Sequence, residues 1–124
     1  MKLATVTDAD ISQRVRRAVA AAEDRKAFEL RVLNLSRVSG FTDFFVICSG
    51  TSDRQVQAIA EAIQRDLRAF GARPLHVEGQ RSGSWVLLDF GAFVVHVFDQ
   101  ETRAFYGLEN LWADAPEVTA DFTS

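Results

Sequence analysis

Two consecutive apolar runs, Trp85–Phe90 and Ala92–Phe98, separated by a single glycine, constrain the fold more than any other feature of the chain. Both have the length of a strand, and both are too short for a helix that must bury itself. Gly91 supplies the backbone freedom of a tight turn, so the pair reads as a β-hairpin. Neither run alternates cleanly between polar and apolar residues. Such strands are either buried on both faces or keep an apolar face for something outside the chain. No Lys or Arg lies between Ser82 and Gln100, and Asp89 sits beside the turn. An apolar, weakly acidic hairpin suits a basic protein partner better than it suits nucleic acid.

The remaining elements arrange themselves around that hairpin. Thr7, with Asp10 three positions on, opens a helix whose apolar face is Ile11, Val15, Ala18, Val19 and Ala22. Arg14, Arg16, Arg17 and Arg25 form its solvated side, with acidic residues interspersed. Phe28 to Leu35 reads as a strand, Ser36 to Thr42 as a loop, and Asp43 to Ser49 as a second, centrally placed strand. Ser52 and Gln55 make a capping box before a helix carrying Val56, Ile59, Ala60, Ile63, Leu67 and Phe70, which Gly71 ends. Arg73 to Glu78 is a third strand, parallel to the second across this helical crossover. Gly79 to Gly83 turns the chain into the hairpin. Asp99 caps a final helix with Phe105, Leu108 and Trp112 along one side, Leu111 adjoining and Tyr106 on another face; Pro116 prevents its continuation. The expected order is αββαβββα: an α/β (α+β) domain with a mixed five-stranded sheet flanked by helices. Residues 7–113 form the domain, 1–6 a loose N-terminus and 114–124 a disordered tail.

Composition bounds the function. The 124 residues suffice for one core without disulfide or metal, and the net charge of −3 argues against a phosphate-gripping domain. The single Cys48 lies in the apolar run Phe44–Cys48 and reads as a small core residue of a protein kept in a reducing cytoplasm. No apolar run approaches the roughly 18 residues of a membrane span. A soluble, cytoplasmic single domain is expected, with no membrane contact.

Candidate chemistry is sparse. The Ser49-Gly50-Thr51-Ser52 turn, at a strand end and helix start, has the form of a phosphate cradle, although helix capping is the favoured reading. A nucleotidyltransferase would need paired carboxylates for Mg²⁺, and the positions two away from Asp89 are Leu87 and Gly91. His76 and His96 lie in strands without metal-ligand spacing and read as hydrogen-bonded histidines in or beside the core. Spacing assembles no Ser–His–acid set, so neither catalytic residue, metal nor cofactor is expected. Trp85 is either core or a surface anchor; an aromatic anchor near an acidic residue is typical of protein interfaces. The residues by themselves describe an α/β binding module. Its alternatives are a nucleotide-binding, nucleotidyltransferase-like enzyme and a homodimeric scaffold.

Four segments, Thr42–Ala60, Val77–Gly91, Val94–Phe98 and Arg103–Trp112, resemble the ribosomal silencing factor family, RsfS or Iojap-like, in the same order and spacing. The resemblance covers Ala18 to about Ala113. It implies a nucleotidyltransferase-like fold without catalytic function, and a protein that binds ribosomal protein number fourteen of the large ribosomal subunit. Blocking small-subunit association then represses translation when nutrients run short. The family's binding surface lies around the tryptophan strand and hairpin, which carries over to Trp85, Asp89, Phe90 and Gly91; His96, Glu101 and Tyr106 match the pattern as well. Ala92 departs from the acidic residue frequent at that turn. The resemblance also implies a homodimer when free, and little or no direct nucleic-acid binding.

Overall fold

The computed structural model describes residues 7–123; the loose N-terminus expected over residues 1–6 lies outside the described residues, as does Ser124. The elements run α1 (Asp8–Asp24), β1 (Phe28–Asn34), β2 (Phe44–Gly50), α2 (Asp53–Ala69), β3 (His76–Glu78), β4 (Trp85–Asp89), β5 (Phe93–Asp99), α3 (Gln100–Tyr106) and α4 (Leu108–Leu111). The five strands form one sheet in the order β1-β2-β5-β4-β3. β2 and β5 are parallel and the other neighbouring pairs antiparallel. β3 therefore points the same way as β2, as the crossover through α2 demands, but two strands lie between them.

The helix ends follow local chemistry. Thr7 Oγ1 accepts from the Asp10 N–H at 3.1 Å while Asp10 Oδ2 accepts from the Thr7 N–H, a reciprocal box that satisfies two otherwise orphaned donors. At α2 the box is only half closed. Ser52 Oγ accepts from the Gln55 N–H, but the Gln55 carboxamide turns away to Thr51 and donates to the Arg25 and Lys26 carbonyls. That side chain ties the start of α2 to the end of α1.

One sheet face is covered by α1 and α2. Val46, Cys48, Val86, Leu88, Val95 and Val97 meet Val15, Val19, Val56, Ile59, Ile63 and Leu67 there, all of them fully buried. Burial pushes the Cys48 thiol up to about 12, although the Arg103 charge pulls the other way, so Cys48 is an inert filler of this core. The opposite face carries Leu33, Phe45, Ile47, Val94 and Phe98, and among the described residues α3, α4, the segment after them and Phe41 of the β1–β2 loop cover it in part.

Three expectations need correction. β3 spans His76–Glu78 rather than starting at Arg73, because Pro74 cannot donate to a ladder and the strand is a fully exposed edge. The last helix is not continuous. Gly107 takes the left-handed conformation at φ 54° and splits it, so Leu108 turns into the core while Phe105 stays 81% exposed and Leu111 76% exposed. The segment beyond Pro116 is docked, not a disordered tail. Asn34 donates to the Pro116 carbonyl, Val118 donates to Val32, and Thr119 Oγ1 accepts from the Val32 N–H. The outer edge of β1 needs backbone partners, and this segment supplies them. Phe122 completes the seal, edge-on to Phe44 with ring centroids 5.4 Å apart. Phe122→Ala is expected to lower stability by about 2–3 kcal/mol, just below the range for a central phenylalanine. Urea unfolding of the full chain measures it.

Candidate functional site

The half-covered sheet face holds the candidate site, and the strand register places its residues. On β4, Trp85, Leu87 and Asp89 share this face; opposite them on β5 stand Phe98, His96 and Val94. Phe45 and Ile47 of β2 continue the row. The Gly107 break lays Tyr106 against Trp85, with ring centroids 5.0 Å apart, and brings Trp112 onto Phe45 at 5.7 Å. From the β1–β2 loop, Phe41 reaches Trp112 at 6.0 Å. The result is an unbroken aromatic strip: Phe41, Trp112, Phe45, His96, Trp85, Tyr106, Phe105. Its middle is buried and its ends are exposed. Phe41 is 63% exposed, and Trp85 and Leu87 in the open part of the face are half-buried.

Trp85 is thus both packed and presented. Its ring stacks on Phe98 at 4.8 Å, and its Nε1–H donates to His96 Nδ1 at 3.1 Å. His96 is buried, and burial drives its pKa down to about 3, so the imidazole is neutral at physiological pH. Because Nδ1 accepts, the proton sits on Nε2, which has no hydrogen-bond partner among the described residues.

The expected site residues do not all converge. Trp85, Asp89 and His96 lie on the open face. Phe90 lies on the other side, half-buried against the helix-side core and stacked on Phe93 at 4.9 Å. Gly91 forms the turn at φ 86°, and its N–H donates to Asp89 Oδ1 at 2.8 Å, so Asp89 shapes the hairpin tip as well as charging it. Phe41 and Trp112 were not singled out as site residues. The strip joins residues about seventy positions apart in sequence, which only the parallel β2–β5 pairing brings together.

Acidic side chains border the open face, and the basic ones there are paired. Arg16, Arg17, Arg65 and Arg68 lie exposed on α1 and α2, with Glu23, Asp24 and Glu61 exposed among them. Glu78 and Asp89 lie on the sheet's open side, and Glu101 lies in the first turn of α3. Among the described residues, two cations lie on this side: Arg103 is buried and paired with Glu109 at 3.0 Å, and Arg31, beside Ile47 in the register, is paired with Glu117 at 2.7 Å and Glu109 at 3.5 Å. An aromatic strip with an acidic rim is chemically suited to a basic protein surface.

The competing site is the Ser49–Ser52 turn. Ser49 Oγ is buried and accepts from Arg103 Nη1 at 2.8 Å, and Ser52 Oγ is engaged as the α2 cap. The cleft beside this turn is lined by Asp53, Asp99 and Glu101 as well as Thr51, Ser52 and Ser84. Three carboxylates oppose a phosphate. Among the described residues, no group of three or more His, Cys, Asp and Glu side chains is placed to hold a metal ion. No described helix is long and apolar enough to cross a membrane.

The fold is an α+β domain with a mixed five-stranded sheet, one face of which its own helices leave half-covered. The sequence model of the family described as ribosomal silencing factor during starvation, RsfS, matches residues 8–124. The chain belongs to the RsfS family. It is 46% identical over 101 residues to the ribosomal silencing factor of Halalkalibacterium halodurans, covering 82% of this chain and 86% of that one. A crystal structure of a Chromobacterium violaceum protein superposes with a TM-score of 0.81 at 35% identity, over 83% of this chain and 86% of that chain. A mouse protein named "Mitochondrial assembly of ribosomal large subunit protein 1" is 32% identical over 97 residues, covering 76% of this chain and 42% of that one.

Proposed function

We propose that this protein binds the large ribosomal subunit in the cytoplasm through ribosomal protein number fourteen, using the open sheet face, and sterically prevents small-subunit association. It represses translation by occupancy and has no catalytic role. The observation that carries this reading is the aromatic strip on a face that the chain's own helices leave half-covered, with acidic residues around it. Family membership supplies the ribosomal context, and the mouse relative's name points to the large subunit. Burial of Trp85, Leu87, Phe105 and their neighbours against a basic protein would supply the apolar driving force, and the charged rim would speed encounter. The same face serves for self-association of the free protein, so dimer formation and ribosome binding compete.

The test mixes purified large subunits with the protein, adds small subunits and follows joining by light scattering. Joining should fall in proportion to occupancy and recover when the factor is removed. Preformed whole ribosomes should resist it, since the docking site is then covered. Normal joining on saturated large subunits would sink the occlusion mechanism. Inhibition that outlasts removal of the protein would instead require a covalent or nucleolytic step.

A further inference from the structure

The Trp85–His96 pair carries an inference that rests on the docking reading and deepens it. A histidine in the middle of β5 is an expensive choice. The flanking positions Val94, Val95, Val97 and Phe98 are all buried and apolar. His96 itself is 3% exposed, and its Nε2–H has no hydrogen-bond partner among the described residues. A buried donor without a partner lowers stability relative to an apolar side chain of similar shape. What the imidazole provides in return is one directional contact, the Nδ1 acceptor 3.1 Å from the Trp85 indole N–H.

That contact is geometrically selective. Trp85 faces Phe98 across the β4–β5 ladder, and Leu87 faces His96, so His96 is the diagonal neighbour of Trp85 on the open face. Stacking on Phe98 and contact with Tyr106 fix the plane in which the indole packs. Neither contact distinguishes the nitrogen edge from a carbon edge of the ring. Only a hydrogen-bond acceptor does so. Phe45, edge-to-face with His96 at 4.5 Å, holds the imidazole from the β2 side, so the acceptor stands on a rigid support.

We infer that His96 is a positioning residue: it touches no partner, but its buried Nδ1 locks the Trp85 indole in the orientation that docks. A half-buried tryptophan held in one rotamer brings its apolar area to an interface without the entropy cost of ordering it there. Stability is given up in the sheet for order on its surface, the trade expected where a local rule of core composition is broken.

The discriminating variants are His96→Phe, which keeps a ring between Phe45 and Phe98 but removes the acceptor, and His96→Asn, whose side-chain oxygen can stand where Nδ1 stood. Three readouts apply to the full chain: thermal unfolding, large-subunit affinity by co-sedimentation, and solvent exchange of the Trp85 indole N–H by NMR. Trp112, the only other tryptophan, serves as the internal reference. His96→Phe should unfold at the same or a higher temperature, yet bind large subunits about fivefold more weakly, the equivalent of one neutral hydrogen bond. Its Trp85 indole N–H should exchange faster. His96→Asn should recover slow exchange and most of the affinity even though it melts lower. Wild-type affinity in a folded His96→Phe protein overturns the positioning role and leaves the docking reading intact. Wild-type protein that does not bind large subunits overturns the docking reading, and the positioning role with it. Weaker binding in strict proportion to lost stability across both variants reduces His96 to an ordinary core residue.

Discussion

Arg103→Ala should destabilise the protein by about 3 kcal/mol, since it takes the donor at once from the part-buried Glu109 carboxylate, the buried Ser49 hydroxyl and the Glu29 carbonyl. Arg103 is 7% exposed and ties together parts of the chain far apart in sequence. Its Nη1 donates to the Glu29 carbonyl at 2.7 Å and to Ser49 Oγ at 2.8 Å. Nε and Nη2 fork onto the Glu109 carboxylate at 3.0–3.3 Å. Arg103 thereby joins α3 to α4 across the Gly107 break and both to the sheet. Glu29 is also a non-glycine residue at φ 50°, inside the irregularity where β1 slips register against β2. The bond from Arg103 helps hold that strained carbonyl in place. Arg103→Lys should recover little, since an ammonium cannot reproduce the planar fork. Equilibrium unfolding in urea measures both variants, and a loss below about 1 kcal/mol for Arg103→Ala would show the network to be peripheral.

The same network sets an acid limit. Partial burial raises the Glu109 pKa, but the hydrogen bonds and charge of Arg103, with Arg31 adding to them, outweigh burial and hold it below its usual 4.5. A carboxyl whose folded pKa is depressed adds stability above the unfolded value, and that contribution disappears as pH falls through the folded pKa. The wild-type protein should therefore lose stability below about pH 4.5 partly through Glu109. The Glu109 share of that slope should shrink in Arg103→Ala, where only Arg31 still favours the carboxylate.

How much of this was readable in the sequence depends on whether the signal was local. The β4–β5 hairpin, the Thr7 cap and the burial of Cys48 each follow from a few neighbouring residues, and the structure shows all three. The Gly107 break was less legible, because a glycine inside an apolar pattern can be tolerated in a helix, cap it or divide it. Its left-handed conformation decides which, and with it the exposure of Phe105. The docking of Val118 and Phe122 left no local signal. It answers a demand of β1, whose outer edge needs partners that only a distant segment could supply.

The candidate site divides in the same way. Trp85 and Asp89 stood out as an aromatic anchor beside a lone acid, and both lie on the open face. Phe90 stood beside them in sequence, but strand alternation carries it to the opposite face. The partnership of Trp85 with His96 required the β4–β5 register. The strip as a whole required the parallel pairing of β2 with β5, which joins Phe45 to a hairpin some forty residues later. Sequence adjacency therefore picks out the middle of the candidate strip, and sheet topology its extent.

Trp85→Ala should weaken large-subunit binding at least about 30-fold, the equivalent of about 2 kcal/mol for an aromatic anchor at the middle of an interface. It should cost less in stability than a core truncation, about 1–2 kcal/mol against the roughly 3–5 of a fully buried tryptophan, because the ring is only half-buried. The stacking surfaces of Phe98 and Tyr106 would remain, with a recess between them that water can enter. Trp85→Phe divides the effect further. It retains most of the apolar contact with those rings but lacks the indole N–H that His96 holds, so its affinity should fall between wild type and alanine while its melting temperature stays near wild type. Leu87→Ala, one step along the same face, should give a smaller loss of binding, and Phe90→Ala, on the helix side, should lower stability more than affinity. This ranking is the sensitive test, since it assigns opposite behaviour to two residues of one hairpin run. If Phe90→Ala abolishes binding in a protein that melts normally, while Trp85→Ala unfolds it and leaves the residual folded fraction binding normally, then the helix-side surface is the docking face and the aromatic strip is core.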